Sequence, residues 1–160
     1  MSQSHIYIGA PDGVVLCING RQGREMNGVF YHKYEEDPVR FRTIGELAFR
    51  MEELFDSIRF PFPSTNIRKF QEEKGIGASA QKREIVMKDE TLLSKHGDLG
   101  TFIIRVQHRQ NSSWQGRITW VEKDQTINFR SVWEMIKLLE SAVDTVSDQD
   151  EMEEEPSWDL

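Results

Sequence analysis

Residues 112–143 read SSWQGRITWVEKDQTINFRSVWEMIKLLESAV, and this stretch contains the pattern of two strands followed by a helix. Near its middle, Ile127 and Phe129 alternate with Asn128 and Arg130, which is the period of a strand with one apolar face. The polar turn EKDQT precedes this strand and suits an antiparallel hairpin with a strand over residues 116–122. The stretch therefore predicts a hairpin that leads into a helix.

The helix begins at a capping box, because Ser131-x-x-Glu134 offers a hydroxyl and a carboxylate to the free backbone N–H groups of the first turn. An apolar stripe with helical spacing follows and predicts the face that packs on the sheet. The stripe consists of Val132, Met135, Ile136, Leu139 and Val143. A further strand over residues 102–107 precedes the hairpin, so the order is three strands and one helix.

A shift of 88 positions aligns residues 9–57 with residues 97–145 without a gap, and nine of the 49 positions are identical. About three identities are expected by chance. The identical pairs include Arg21 and Arg109, Gln22 and Gln110, Gly28 and Gly116, and Asp56 and Asp144. The first half then contains strands over residues 14–19, 28–34 and 39–42, a capping box at Thr43-x-x-Glu46 and an equivalent apolar stripe.

The predicted fold class is α+β, with two tandem βββα repeats that each form a three-stranded antiparallel sheet and one helix. The first repeat covers residues 1–58 and the second covers residues 97–143. A basic linker over residues 59–96 separates them, in which residues 66–74 can form a short helix and residues 83–88 a strand. Because about 45 residues rarely make a stable core alone, the two halves are expected to pack together. Duplicated halves also permit a homodimer.

The net charge of −7 comes from 20 basic and 27 acidic residues, and the acidic excess is concentrated at the C-terminus. Residues 144–160 contain eight acidic residues and no Lys or Arg, so the remaining 143 residues carry a charge of +1. This segment is predicted to be a disordered acidic tail. It is either a solubilising tail or, through Trp158, a segment that docks on a basic surface and competes with an anionic ligand.

Known catalytic and metal-binding motifs are absent from the sequence, which contains no GxSxG, GxxxxGK[ST] or HExxH pattern. The one cysteine, Cys17, lies within a predicted strand, and the four histidines are scattered. We therefore expect no enzyme, no metal and no cofactor. The single cysteine and the lack of a long apolar run predict a cytoplasmic protein that does not contact a membrane.

The sheet face opposite each helix is predicted to be rich in arginine and free of acidic residues. Strand alternation assigns several arginines to this face, and the matched Arg-Gln pairs and Trp114 in the turn NSSWQG extend it. The candidate binding residues are Arg21, Gln22, Arg40, Arg42, Arg105, Arg109, Gln110, Trp114, Arg117, Arg130 and, in the tail, Trp158. Guanidinium groups on a rigid sheet suit phosphate or carboxylate ligands. Alternatively, these faces pack on each other, on the linker or on a second copy, with the arginine stems covering apolar surface. A one-residue bulge would invert the assignment.

Residues 112–143, with a weaker echo in residues 27–57, resemble the three-strand-plus-helix unit of AP2-like and integrase amino-terminal DNA-binding domains. The resemblance implies a sheet that enters the major groove, with Arg105, Arg109, Arg117 and Trp114 as contacts. The segment RVQHRQNSSWQG also resembles a segment of small bacterial proteins whose function is not assigned, which implies no activity.

Two functions follow as hypotheses. The first is a non-enzymatic regulatory module that contacts nucleic acid, or a nucleic-acid-processing complex, through its arginine-rich sheet faces, with the acidic tail as a competitor. The second is a protein-interaction adaptor or inhibitor in which the acidic tail or an exposed Trp114 turn engages a partner, and such a tail can imitate a nucleic-acid backbone toward a basic protein. Loss of the tail should strengthen binding under the first hypothesis and abolish it under the second.

Overall fold

Six strands and three helices form the described part of the chain. In the computed structural model, the described residues are 8, 11–61, 70, 83–109 and 113–154, with side chains described as far as residue 146. The strands are β1 (Val14–Gln22), β2 (Glu25–Tyr31), β3 (Val39–Phe41), β4 (Gly100–His108), β5 (Gln115–Trp120) and β6 (Gln125–Phe129). The helices are α1 (Ile44–Ile58), α2 (Asp89–Leu93) and α3 (Val132–Glu154), and a 3-10 turn at Val121–Lys123 joins β5 to β6.

All six strands belong to one antiparallel sheet in the order β3-β2-β1-β4-β5-β6. The predicted α+β class is confirmed, but the prediction of two separate three-stranded sheets is wrong. β1 pairs with β4 from Val14 opposite Ile104 to Ile18 opposite Gly100. The residues of β1 from Val14 to Ile18 are all buried, so this strand is apolar on both faces and is suited to the centre of a sheet. Pairing β1 with β4 places both strands there and leaves β3 and β6 as the edges.

The helices α1 and α3 cover one face of the sheet, which we call the inner face. The predicted caps are present, since the Glu46 N–H donates to Thr43 Oγ1 at 3.1 Å and the Glu134 N–H donates to Ser131 Oγ at 3.1 Å. Both stripes are buried in one core with the inward residues of the strands. The fully buried members from the helices are Leu47, Met51, Phe55, Met135, Leu139 and Val143.

The opposite face, which we call the outer face, is covered only in part. A second apolar cluster joins Val15 and Cys17 of β1 to Met87 and to Leu92 of α2. The strand expected over residues 83–88 does not form. The N–H groups of Val86 and Met87 both donate to the carbonyl of Lys33, at 2.7 and 3.0 Å, which is not the alternating pattern of a strand ladder. Apart from residue 70, the helix expected over residues 66–74 lies outside the described residues.

Helix α3 continues to Glu154, so residues 144–154 are helical, and the prediction of disorder is wrong for this part of the tail. The physical reason lies in the sequence, because no Gly or Pro interrupts residues 132–155 and glutamate is a good helix former. Among the side chains of α3 that the structure describes, which end at residue 146, the last one buried in the core is Val143. The backbone of residues 144–154 forms an acidic helical extension of α3, and Trp158 lies outside the described residues.

Candidate functional site

Two β-bulges decide where the predicted arginines lie. The pairing of β1 with β2 shifts by one residue between Ile18 and Gly20, and the pairing of β4 with β5 shifts in the same way between Val106 and His108. A bulge moves every later side chain of its strand to the other face. The residues that follow the bulges, Arg21 and Arg109, are therefore removed from the predicted open face.

Arg109 is buried, with a side chain that is only 6% exposed, and it binds residues of the first half of the chain. Its Nη1 donates to Asp56 Oδ1 at 2.8 Å, and its Nε donates to the carbonyl of Pro61 at 2.5 Å. Its guanidinium group also lies 5.8 Å from the ring centre of Phe55. These contacts correct the prediction that Arg109 is an exposed ligand residue.

Arg21 forms the reciprocal contact, because its Nη1 donates to Asp144 Oδ1 of α3. Two of the identical pairs found by the 88-residue shift are Arg21 with Arg109 and Asp56 with Asp144. Each arginine binds the aspartate of the other half, so these identities hold the two halves together. Arg21 is therefore paired within the chain, and its contact with an external anion stays a prediction.

Trp114 is not an exposed anchor either, since it is 5% exposed and belongs to the inner core. Its ring meets the ring of Phe55 edge to face, with centroids 5.3 Å apart. The polar residues around it in the turn predicted exposure, but a contact with α1 of the first half buries the ring. This is a long-range contact that the local sequence does not indicate.

Arg130 is exposed and follows β6 directly. Its Nη2 donates to Glu134 Oε2 at 3.1 Å, and this hydrogen bond holds the pKa of Glu134 below its ordinary value. Gln22 is exposed at the end of β1. Gln110 lies outside the described residues.

Arg40 and Arg42 are exposed at the β3 edge, where they line a shallow surface depression together with Arg50 and Glu46. Within the described ranges, no carboxylate forms an ion pair with Arg40 or Arg42, whereas Arg50 pairs with Glu53 at 3.4 Å. This depression is a small basic area that is separate from the central strands.

Arg105 and Arg117 lie directly opposite each other on β4 and β5. Their neighbours in the register, Ile104 and Ile118, face the inner core, so the two arginines face outward. Arg117 is exposed, and Arg105 is partly buried. Two like charges at directly opposed positions destabilise a sheet unless another group balances them.

Uncharged hydrogen-bonding side chains surround this pair. Asn128 of β6 lies opposite Arg117 and is exposed. Thr119 and Thr126 also lie opposite each other, and their hydroxyl oxygens are 2.9 Å apart in a hydrogen bond. We call Arg105, Arg117, Thr119, Thr126 and Asn128 the outer polar patch. It is the open area of the sheet that retains predicted binding residues.

Buried titratable groups were not foreseen among the site residues. Asp12, just before β1, is 1% exposed, and burial raises the pKa of its carboxyl to about 7. Two backbone N–H groups and the charges of Arg105 and Arg109 oppose that shift. No motif marks Asp12 in the sequence, because it lies in a turn outside any alternating pattern.

The two other buried titratable side chains that bear on chemistry are His32 and Cys17. His32 Nδ1 accepts the N–H of Tyr34 at 3.1 Å, and burial lowers the pKa of His32 to about 4. Burial also raises the pKa of the Cys17 thiol to about 11, so the thiol is protonated at neutral pH. Across the described ranges, no group of three or more His, Cys, Asp or Glu side chains could hold a metal ion.

Among the helices of the described residues, none combines the length and the apolar character needed to cross a lipid bilayer. In comparisons with known proteins, no family model, no curated protein and no solved structure matches this chain. The site is therefore interpreted from its own geometry.

Proposed function

We propose that this protein is a non-enzymatic binding module that contacts nucleic acid through the outer polar patch. The observation that carries the proposal is the placement of Arg105 and Arg117 directly opposite each other on the outer face. A phosphate group between two guanidinium groups would accept charge-assisted hydrogen bonds from both of them. Strands also hold side chains more firmly than loops do, which favours a defined contact.

The neighbours of the arginine pair suit a nucleic-acid backbone. Thr119, Thr126 and Asn128 supply neutral donors and acceptors beside the charged pair, as is common in contacts to phosphate and sugar. Contacts of this kind position a protein on nucleic acid without reading its sequence. The proposal is therefore for backbone binding whose affinity falls steeply with salt.

We infer further that the chain is a tandem duplication of a βββα unit. This is supported by strand registers that repeat at the 88-residue shift: Leu16 opposite Phe30 corresponds to Ile104 opposite Ile118, and Gly28 opposite Phe41 corresponds to Gly116 opposite Phe129. Both bulges and both helix caps recur at the same shift. Under this inference, the outer polar patch belongs to one copy of the unit.

The experiment is a titration of fluorescently labelled single-stranded DNA, double-stranded DNA and RNA with the full chain at several salt concentrations. We expect Arg117→Gln to weaken binding about 3- to 10-fold and to lower the salt slope by about one. Arg24→Gln is the matched control, because Arg24 is an exposed arginine in the β1–β2 turn, away from the patch. Equal losses in both variants, or no salt-sensitive binding by the wild type, would contradict the proposal.

The acidic extension of α3 is proposed to compete with the nucleic acid, and its charge can be tested without shortening the chain. In a variant with Asp148→Asn, Asp150→Asn, Glu151→Gln, Glu153→Gln and Glu154→Gln, affinity for nucleic acid should increase. Asp144 stays unchanged in this variant because it pairs with Arg21. Unchanged affinity would remove the competitor role and leave the patch proposal intact.

A second candidate function is an adaptor that binds a basic protein surface through this acidic extension. The observation that favours it is the continuation of α3 to Glu154, which makes the backbone of residues 144–154 a helix rather than a loose tail. A defined basic partner should then bind the wild type and lose affinity for the neutralised variant, whereas Arg117→Gln should bind that partner normally. The two candidates therefore predict opposite responses to the same two variants.

A further inference from the structure

The sheet has two edges, and among the described residues no strand pairs with the outer side of β6. β6 has five residues, Gln125–Phe129, and its side chains carry no charge. Alternate residues of an edge strand direct their N–H and C=O groups away from the sheet, where they can pair with another strand. Natural edge strands usually contain a charge, a proline or a bulge that prevents such pairing. β6 has none of these devices.

The β3 edge, in contrast, is protected. It has only three residues, Val39–Phe41, with the charged Arg40 at its centre and Pro38 directly before it. Proline lacks the N–H that a pairing strand would use, and an arginine at the centre would face a second arginine in a symmetric pair. The two edge strands therefore differ in length and also in the charge and proline content of their residues.

Opposite charges lie on the two sides of β6. Asp124 precedes the strand and Arg130 follows it, and both side chains are exposed. Arg130 also pairs with Glu134 of its own chain at 3.1 Å. If two β6 strands pair antiparallel with Ile127 opposite Ile127, then Asp124 of each copy lies opposite Arg130 of the other. Thr126 then lies opposite Asn128 on the outer face. A parallel arrangement in the same register would instead place like charges together.

Apolar surface is available at the same edge. Ile127, at the centre of β6, is 49% exposed although its side chain points to the inner face beside the buried Ile118. Trp133, in the first turn of α3, is 66% exposed. Large apolar side chains with this much exposure next to an unpaired strand are typical of a surface that another chain covers.

We propose that β6 pairs antiparallel with β6 of a second copy of this chain, around a twofold axis at Ile127. The two six-stranded sheets then join into one sheet of twelve strands, with Asp124–Arg130 ion pairs at both ends of the interface. The interface is isologous, so it closes at the dimer and does not grow into a fibre. This inference does not depend on the proposed nucleic-acid function.

The first test is a disulfide cross-link in the full chain. Residues directly opposite each other in an antiparallel pair have Cα atoms about 4.5–5.5 Å apart, which permits a disulfide. We expect Ile127→Cys to form a covalent dimer under a mild oxidant such as diamide, and a mixture of Thr126→Cys and Asn128→Cys to form a mixed dimer. The native Cys17 is buried and should not react.

The matched control is Val39→Cys, since Val39 occupies the same place on β3 that Ile127 occupies on β6 when the sequence is shifted by 88 residues. Val39→Cys should remain monomeric under the same oxidant. A cross-link that forms at Val39→Cys as readily as at Ile127→Cys would overturn the proposal. The absence of any cross-link at Ile127→Cys would overturn it as well.

The second test exchanges the charges and measures association by sedimentation. Asp124→Lys and Arg130→Glu should each lower the dimer association constant about 10-fold or more, because each creates two like-charged contacts in the dimer. The double variant should recover most of the loss, since the reversed pairs attract again. Circular dichroism confirms that each variant is folded. Glu36→Lys, the equivalent change before β3, should have no effect.

The pattern across the variants decides the result. A wild-type dimer that single charge reversals weaken and the double reversal restores supports the antiparallel β6 pair. A monomer at every concentration, or a dimer that responds equally to Glu36→Lys and Asp124→Lys, contradicts it.

Discussion

The same cross-strand position carries different side chains in the two halves of the molecule. In the first half Cys17 lies opposite Val29, and in the second half Arg105 lies opposite Arg117, at registers that differ by 88 residues. Residues of the segment 83–98 cover the apolar pair, whereas Arg117 remains exposed. The comparison teaches that equal backbone geometry carries internal packing in the first half and an exposed charged side chain in the second half.

The prediction with the largest expected effect tests whether the two halves share their backbone geometry. A Cβ atom at Gly28 would collide with the carbonyl oxygen of Cys17, and one at Gly116 would collide with that of Arg105. We expect Gly28→Ala and Gly116→Ala each to lower the free energy of unfolding by about 3 kcal/mol or more, as measured by urea denaturation.

Gly45→Ala is the control for these variants. A Cβ at Gly45 meets only Thr43 Oγ1 at 3.9 Å, and alanine favours the helix, so stability should rise by about 0.5 kcal/mol. A neutral result for either Gly28→Ala or Gly116→Ala would show that the two hairpins differ in geometry.

A second prediction concerns Asp12, whose equivalent in the second half is Gly100. Because the pKa of Asp12 rises to about 7 on folding, the native state binds this proton more tightly than the unfolded chain does. Its contribution to stability is therefore largest below pH 4 and is lost as the pH rises through 7. Asp12→Asn should be more stable than the wild type at pH 8 by about 2–4 kcal/mol and nearly equal to it at pH 4.

His32 acts in the opposite direction, because the pKa of His32 falls to about 4 on folding. The contribution of His32 to the free energy of unfolding is fully present above pH 6.5 and is lost as the pH falls toward 4. In Asp12→Asn, stability should therefore rise from pH 4 to pH 6.5 and then stay level. If the stability of the variant relative to the wild type does not change with pH, Asp12 does not carry the shifted pKa.

The two reciprocal ion pairs provide the third prediction, with a smaller effect. The side chain of Arg109 is 6% exposed and also binds the Pro61 carbonyl, whereas the side chain of Arg21 is 20% exposed and pairs with a half-exposed Asp144. Arg109→Met should cost about 2–3 kcal/mol and Arg21→Met about 0.5–1 kcal/mol. Thermal unfolding of both variants measures the two losses of stability. Equal losses would show that the two arginines contribute equally, contrary to this prediction.

Local patterns predicted the six strands of the sheet, with bounds that differ by up to three residues, and both helix caps, but they also predicted a strand over residues 83–88 that does not form. The alternation of Ile127 and Phe129 and the capping box at Ser131 depend on neighbouring residues alone, and the structure confirms both. The β1–β4 pairing and the burial of Trp114 depend on contacts between halves, which local patterns do not encode. The bulges after Ile18 and Val106 share no motif, so the reversed orientation of the later arginines could not be predicted.

Part of the candidate site was nevertheless predicted. Arg105 precedes the bulge of β4, and Arg117 lies on β5, away from both bulges. Simple alternation therefore places both arginines on the outer face, as the structure does. Arg21 and Arg109 follow the bulges and were misplaced. Alternation therefore assigns the correct face to residues before the inserted residue of β1 or β4 and the wrong face to residues after it.

The most direct test of the difference between the halves is a chemical-shift titration of the isotope-labelled full chain with a short oligonucleotide. The account predicts that the amide signals of Arg105, Arg117, Thr126 and Asn128 move, while those of Cys17, Val29 and Arg40 stay in place. Shifts that centre on the first half, or on the exposed faces of α1 and α3, would contradict the claim that the second half carries the external contact.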